Sequence, residues 1–269
     1  MAAGKRQNHL SDLRKYTLAD KALEQYLLSH SNLPGKRGNI ELGFSFADYV
    51  EENYHKYNLQ LFQYCLALIS ENDERKNENG NEEFLPFCAV VALGRIGKID
   101  ETRADEVIRF LKTVATDGRW RIREAVAMAI QEIMDAHAEK ILDKLIKWAD
   151  EDNWLIQRAL VAGLAEPRII KSRKIAEISL EIHKKIIAKV AEETDTKNTD
   201  RQVLIKGLCY TLSVIITGTE DEGFRYLEDL MKIKNAVIRK IIRENLKKNR
   251  LKRLNHRKVL ELQKATEKA

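Results

Sequence analysis

The sequence predicts an all-α protein built from helical hairpins stacked in series, and three observations carry that prediction. Trp120-Arg121-Ile122-Arg123-Glu124-Ala125-Val126-Ala127-Met128-Ala129-Ile130 returns thirty-four residues later as Trp154-Leu155-Ile156-Gln157-Arg158-Ala159-Leu160-Val161-Ala162-Gly163-Leu164. Self-similarity at such a period marks stacked helical repeats, because one helix pair cannot cover its own apolar face until a neighbour joins it. The chain has 3 Pro and 12 Gly among 269 residues, with 33% charged and 44% hydrophobic residues, a helix-rich balance. From residue 82 onward the helical segments come in pairs. A stack of this length can run as one continuous domain. Residues 1–81 read as an atypical N-terminal cap, 82–254 as the repeat array continuous with it, and 255–269 as a C-terminal basic helix or tail.

Residues 11–30 carry Leu13, Tyr16, Leu18, Leu23, Tyr26 and Leu27 at helical spacing, which predicts one N-terminal helix capped by Ser11 or Asp12. Pro34, Gly35 and Gly38 break the chain at 31–39. Residues 44–70, rich in Phe and Tyr, predict two helices or one long bent helix that serves as core or cap. Residues 71–81 hold no apolar side chain and predict a mobile loop. Beyond it the expected pairs are 82–97 with 101–116, 120–134 with 138–149, and 154–164 with 172–192. Small residues beside branched ones, as in Ala92-Leu93-Gly94-Arg95-Ile96, let such helices approach closely. A polar loop at 193–200 precedes a helix at 203–217, and 220–233 with 236–248 make the last pair.

Cys65, Cys88 and Cys209 are far apart and set among apolar neighbours, so they predict buried free thiols. No Cys/His spacing suits zinc, so neither a metal nor a cofactor is expected. No apolar run reaches the roughly 18 residues of a membrane span, and the first residues have no secretory apolar core. The expectation is a cytoplasmic protein that does not engage a membrane. Gly-rich phosphate loops, His-Glu-x-x-His helices, Gly-x-Ser-x-Gly elbows and kinase motifs are missing from the sequence.

Charge is uneven. Residues 239–258 contain ten basic side chains against the single acid Glu244, so a stretch of +9 sits in a chain of +6 and leaves the remainder at −3. Lys247, Lys248 and Arg250 lie in this run, with Leu246, Leu251 and Leu254 spaced to dock it on the last repeat. A second series, Arg119, Arg121, Arg123, Arg158, Arg168, Lys171, Arg173 and Lys174, recurs near the starts of successive helices. Aligned along one edge, these cations would track a phosphate backbone. As a solvated ridge they would track nothing.

A helix reading hydrophobic-Arg-x-x-Ala-x-x-Ala-Leu at a period of 30 to 40 residues resembles HEAT and armadillo repeats. The resemblance covers about 82–248 and implies a right-handed α-solenoid, a superhelix used mostly as a binding surface. Asp152-Asn153-Trp154-Leu155-Ile156-Gln157-Arg158-Ala159 is similar, more narrowly, to a segment of the AlkC/AlkD-like HEAT proteins, which include DNA glycosylases that excise alkylated bases. Arg158 matches one arginine of that segment, while Gln157 and Leu155 replace its other arginine and an aromatic residue. The resemblance implies a catalytic carboxylate at Glu124, four residues after Trp120 and therefore on the same helix face. Trp120 and Trp154 would contact the lesion, and Arg158 would hold a phosphate.

The favoured reading is a non-catalytic HEAT-repeat protein with a concave basic surface that binds a macromolecule, DNA ahead of protein. The alternatives are an alkylated-base DNA glycosylase and a protein-interaction scaffold.

Overall fold

Regular structure in the computed structural model, which describes residues 2–70 and 80–268, is helical throughout those residues. The helices are α1 (Ala2–Leu13), α2 (Lys21–Ser29), α3 (Ile40–Ser70), α4 (Phe84–Ile99), α5 (Glu101–Val114), α6 (Trp120–Trp148), α7 (Trp154–Leu164), α8 (Arg173–Glu192), α9 (Thr199–Ile216), α10 (Glu220–Met231), α11 (Ala236–Leu246), α12 (Asn249–Leu254) and α13 (His256–Lys268). Short 3-10 turns cover Asn81–Glu83 and Ile169–Lys171. The backbone gathers into two compact units, one ending at His137 and the other beginning at Ala138. The boundary falls where His137 leaves helical geometry within α6, at φ −128° and ψ 35°.

The first unit is organised around α4, which is buried from Phe84 to Gly97. An apolar helix that is covered all round needs neighbours on every side, and α2, α3 and α5 supply them. On the α6 side a Cβ placed on Gly94 would lie 2.4 Å from the Ala129 Cα, so only glycine permits this crossing. One cation interrupts the apolar run. Arg95, 8% exposed, donates to Glu132 at 2.9 Å and to Asp48 at 2.8 Å, and also pairs with Glu51. Asp48 pairs with Arg6 of α1 as well, so a single ionic network joins α1, α3, α4 and α6.

The expected single helix over 11–30 is instead two helices. Ala19 takes a positive φ of 59°, and the Asp20 side chain accepts from Ala22 N at 2.9 Å to start α2. Ser11 and Asp12 therefore lie in the last turn of α1 rather than at a helix start. The aromatic stretch is one long bent helix, α3, with its break at Tyr57. The loop expected at 71–81 falls outside the described residues up to 79, and Asn81 already begins a 3-10 turn.

In the second unit α9 packs between α7 and α11, while α8 covers α9 and α10 covers α11. These three in-series helices start alike. Asn153, Asn198 and Asn235 each turn a side-chain oxygen onto backbone N–H groups of the first turn of α7, α9 and α11. The Asn198 cap starts α9 four residues before the expected 203, and the buried Arg201 then fastens the preceding loop by donating to Val190 O at 2.8 Å and Glu193 O at 3.1 Å. Between layers, Asn245 of α11 accepts from Ser213 N and donates to Leu208 O, both at 2.8 Å.

Cys65, Cys88 and Cys209 are all buried and free, and burial pushes the Cys65 thiol up to about 12. Among the described residues no helix is long and apolar enough to cross a membrane. No group of three His, Cys, Asp or Glu side chains among them is placed to hold a metal ion.

Candidate functional site

The start of α6 gathers five of the residues singled out from sequence. Arg119 is 4% exposed and grips Asp117 at 2.9 and 2.6 Å. Arg121 is 6% exposed, pairs with Glu83 and donates to Gly35 O at 3.0 Å. Arg123 donates to Gly118 O at 2.7 Å and to Asp117 O. All three guanidiniums thus fasten the backbone that leads into α6 and the loop beside it. The buried Glu83 carboxyl is pushed up by desolvation, against the pull of Arg121.

Trp120 differs from these neighbours. It is 47% exposed, with the Arg121 guanidinium 4.5 Å from its ring centroid on one face. It and Glu124, one turn on, share a cavity of about 110 Å³ with Ile40, Phe84, Phe87 and Met128. Phe84 and Phe87 stack with centroids 5.7 Å apart, and Arg37 and Gly38 of the loop 31–39 close the mouth. The sequence signals for this pocket were Phe84 and Phe87 at the i, i+3 spacing that opens α4, and the glycine-bounded tip Gly35-Lys36-Arg37-Gly38. Neither signal says that they meet Trp120.

In the second unit Trp154 is half-buried at the first position of α7, and Arg158 is 5% exposed. The stem of Arg158 runs beside Gly207 of α9, whose Cβ position is 3.7 Å from the Arg158 Cγ. Gln157 is an internal tie, donating to Glu151 O at 2.8 Å. Arg168 pairs with Glu166 at 3.0 Å, Arg173 with Glu177 at 2.6 Å and Glu222 at 2.7 Å, and Lys171 is exposed.

The exposed positive charge collects on α11 and α12. Ile238, Ile241, Ile242, Asn245 and Leu246 bury one face of α11, so Lys240, Arg243 and Lys247 rise along the other at helical spacing. Together with Arg239, Glu244 and Thr266 of α13 they line a groove of about 530 Å³. Arg250, Lys252 and Arg253 continue the charge on α12, whose Leu251 is fully buried. Lys247 pairs with Glu244 at 2.5 Å, while Lys240, Arg243, Lys248, Arg250, Lys252 and Arg253 make no ion pair among the described residues.

No family model and no curated protein matches this chain. Among solved structures it is similar to an engineered protein from the Northeast Structural Genomics Consortium, at 13% identity over 96% of this chain and 97% of that one, with a TM-score of 0.35.

Proposed function

We propose that the protein binds nucleic acid through the cationic face of α11 and α12, on a scaffold that is a right-handed α-solenoid of HEAT-like helix pairs. The scaffold reading is supported by the serial packing of α7, α9 and α11 under repeated Asn caps. The binding reading rests on one observation. Six cations in a stretch of charge +9 stand without acidic partners, whereas Arg119, Arg121, Arg123, Arg168 and Arg173 are occupied by acids or carbonyls of the chain itself. Leaving like charges this close costs self-repulsion, which a polyanion relieves by replacing their counterions with phosphates. The phosphate contacts therefore belong to Lys240, Arg243, Lys247, Lys248 and Arg250 rather than to the start of α6.

Fluorescence anisotropy with a labelled DNA duplex across a salt series tests this. If about four cations touch phosphate, the log–log slope is about −4, and Lys240→Ala with Arg243→Ala makes it shallower by about 2. Changing the exposed Lys21 of the first unit to Ala leaves it unchanged. Binding that ignores salt, or is absent, would favour a protein-interaction scaffold. Release of free base from an alkylated duplex, lost on Glu124→Gln, would instead favour the glycosylase reading.

A further inference from the structure

A nucleic-acid face on α11 and α12 leaves the cavity under Trp120 without a role. Its lining is apolar, and the stacked rings of Phe84 and Phe87, 18° from parallel, give it a flat floor. A cavity of roughly 150 Å³ accepts benzene, so about 110 Å³ takes one ring rather than a fused pair. Trp120 at the mouth offers an open indole surface on which a ring can stack as it enters.

Two charges at the rim narrow the choice of ring. Glu124 is a half-buried carboxylate, a group that only accepts hydrogen bonds. Arg37 is exposed at the loop tip beside Lys36, and neither makes an ion pair among the described residues. A quaternary ammonium ligand is disfavoured, because the Arg121 guanidinium already covers one face of Trp120 and Arg37 stands at the entrance. What suits both charges is a single ring with an N–H edge for Glu124 and an anionic tail for Arg37.

We propose that this pocket binds a cytosine nucleotide. The ring lies on Phe84 and Phe87, the N4 amine donates to the Glu124 carboxylate, and the phosphate meets Arg37 and Lys36. The proposal deepens the nucleic-acid reading by naming an unpaired base as a ligand, and every residue it uses belongs to the first unit.

Isothermal titration calorimetry of the full chain with CMP, UMP and cytidine tests it. CMP binds about ten-fold more tightly than UMP, whose O4 sets an acceptor against the carboxylate. It also binds about ten-fold more tightly than cytidine, which has no phosphate for Arg37. Glu124→Gln removes the preference for CMP over UMP, since an amide can donate to O4, and Arg37→Ala removes the preference for CMP over cytidine. Both side chains reach solvent, and far-UV circular dichroism verifies that each variant folds. CMP binding that persists in the Lys240→Ala, Arg243→Ala protein supports the pocket independently of the duplex-binding face. Equal affinities for CMP and UMP, preferences that survive both substitutions, or no binding by the native chain overturns the proposal, whatever duplex DNA does.

Discussion

His183 sits in α8 with none of its surface exposed, its Nδ1 2.7 Å from Ser179 O and its Nε2 3.0 Å from the Thr211 hydroxyl. A carbonyl can only accept, so Nδ1 carries the proton, Nε2 accepts from Thr211, and the ring is held neutral. Burial lowers its pKa from 6.5 to about 4. The unfolded chain therefore takes up a proton near pH 6.5 that the folded chain refuses until about pH 4, so stability is full above pH 6.5 and declines as pH falls through that window. From pH 7 to pH 5 the loss is about 2 kcal/mol. His183→Gln cannot take up that proton, so its urea midpoint changes less over the same pH range, and parallel curves for the two proteins would refute the assignment. Arg95 is the opposite case, a buried group that stays charged. Burial alone would lower its pKa, but Glu132, Glu51 and Asp48 hold it above the ordinary range. Arg95→Met leaves the carboxylates of Glu132 and Asp48 without their cation and costs about 3–5 kcal/mol. Lowering the pH toward 4 recovers part of that loss, because protonation discharges the stranded carboxylates; a deficit that does not shrink in acid would point to packing alone.

Two helical glycines show how a helix pair sets the sign of a substitution. On Gly94 of α4 a Cβ would stand 2.4 Å from the Ala129 Cα and 3.0 Å from its carbonyl oxygen, both of them backbone that can yield only if the helices separate. On Gly207 of α9 the nearest atoms are the Arg158 Cγ at 3.7 Å and the Val161 Cγ2 at 3.9 Å, ordinary contact. Alanine is the better helix former by about 1 kcal/mol at either site. Gly207→Ala therefore stabilises by about 0.4–1 kcal/mol, whereas Gly94→Ala meets an overpacked crossing and costs about 1–3 kcal/mol. Chemical denaturation of the two variants decides between this and a uniform glycine effect, which would give both the same sign. The same pair marks what the sequence could convey. Small residues beside branched ones in 92–96 do announce a close helix approach, but nothing local distinguishes Gly94 from Gly207, since the difference lies in atoms 35 residues before or after. Elements followed the same division. Helix α7 was read end to end because its Trp154 start and Gly163-containing end lie within the repeat, and the break in α6 fell between the two segments expected there. The N-terminal helix was misread because helical spacing carries through Leu18, whereas the backbone turns at Ala19 and restarts on the Asp20 cap. For the pocket, Trp120 and Glu124 were visible as an i, i+4 pair, but Phe84, Phe87 and Arg37 join them only by tertiary packing.

At the scale of the whole chain the question is whether net charge or its placement governs an anionic partner. The chain carries +6, and all of that excess lies within residues 239–258. Charges farther away than the Debye length, about 8 Å at physiological salt, are largely screened, so distant cations contribute little to a phosphate docked on α11. Two charge isomers separate the possibilities. Lys240→Gln, Arg243→Gln and Arg250→Gln change three exposed cations of α11 and α12, while Lys21→Gln, Lys56→Gln and Lys197→Gln change three exposed cations elsewhere, and each set takes the chain from +6 to +3. If placement governs, the first set makes the salt slope of duplex binding shallower by about 3 and the second leaves it within about 1 of the native value. The first set should also leave the fold intact, with a urea midpoint equal to or above that of the native chain, since none of its three side chains makes an ion pair among the described residues and their mutual repulsion is relieved. Equal slopes for the two isomers would mean that the chain attracts polyanions only as a diffuse positive body, and the face on α11 and α12 would then be a solvated helix surface.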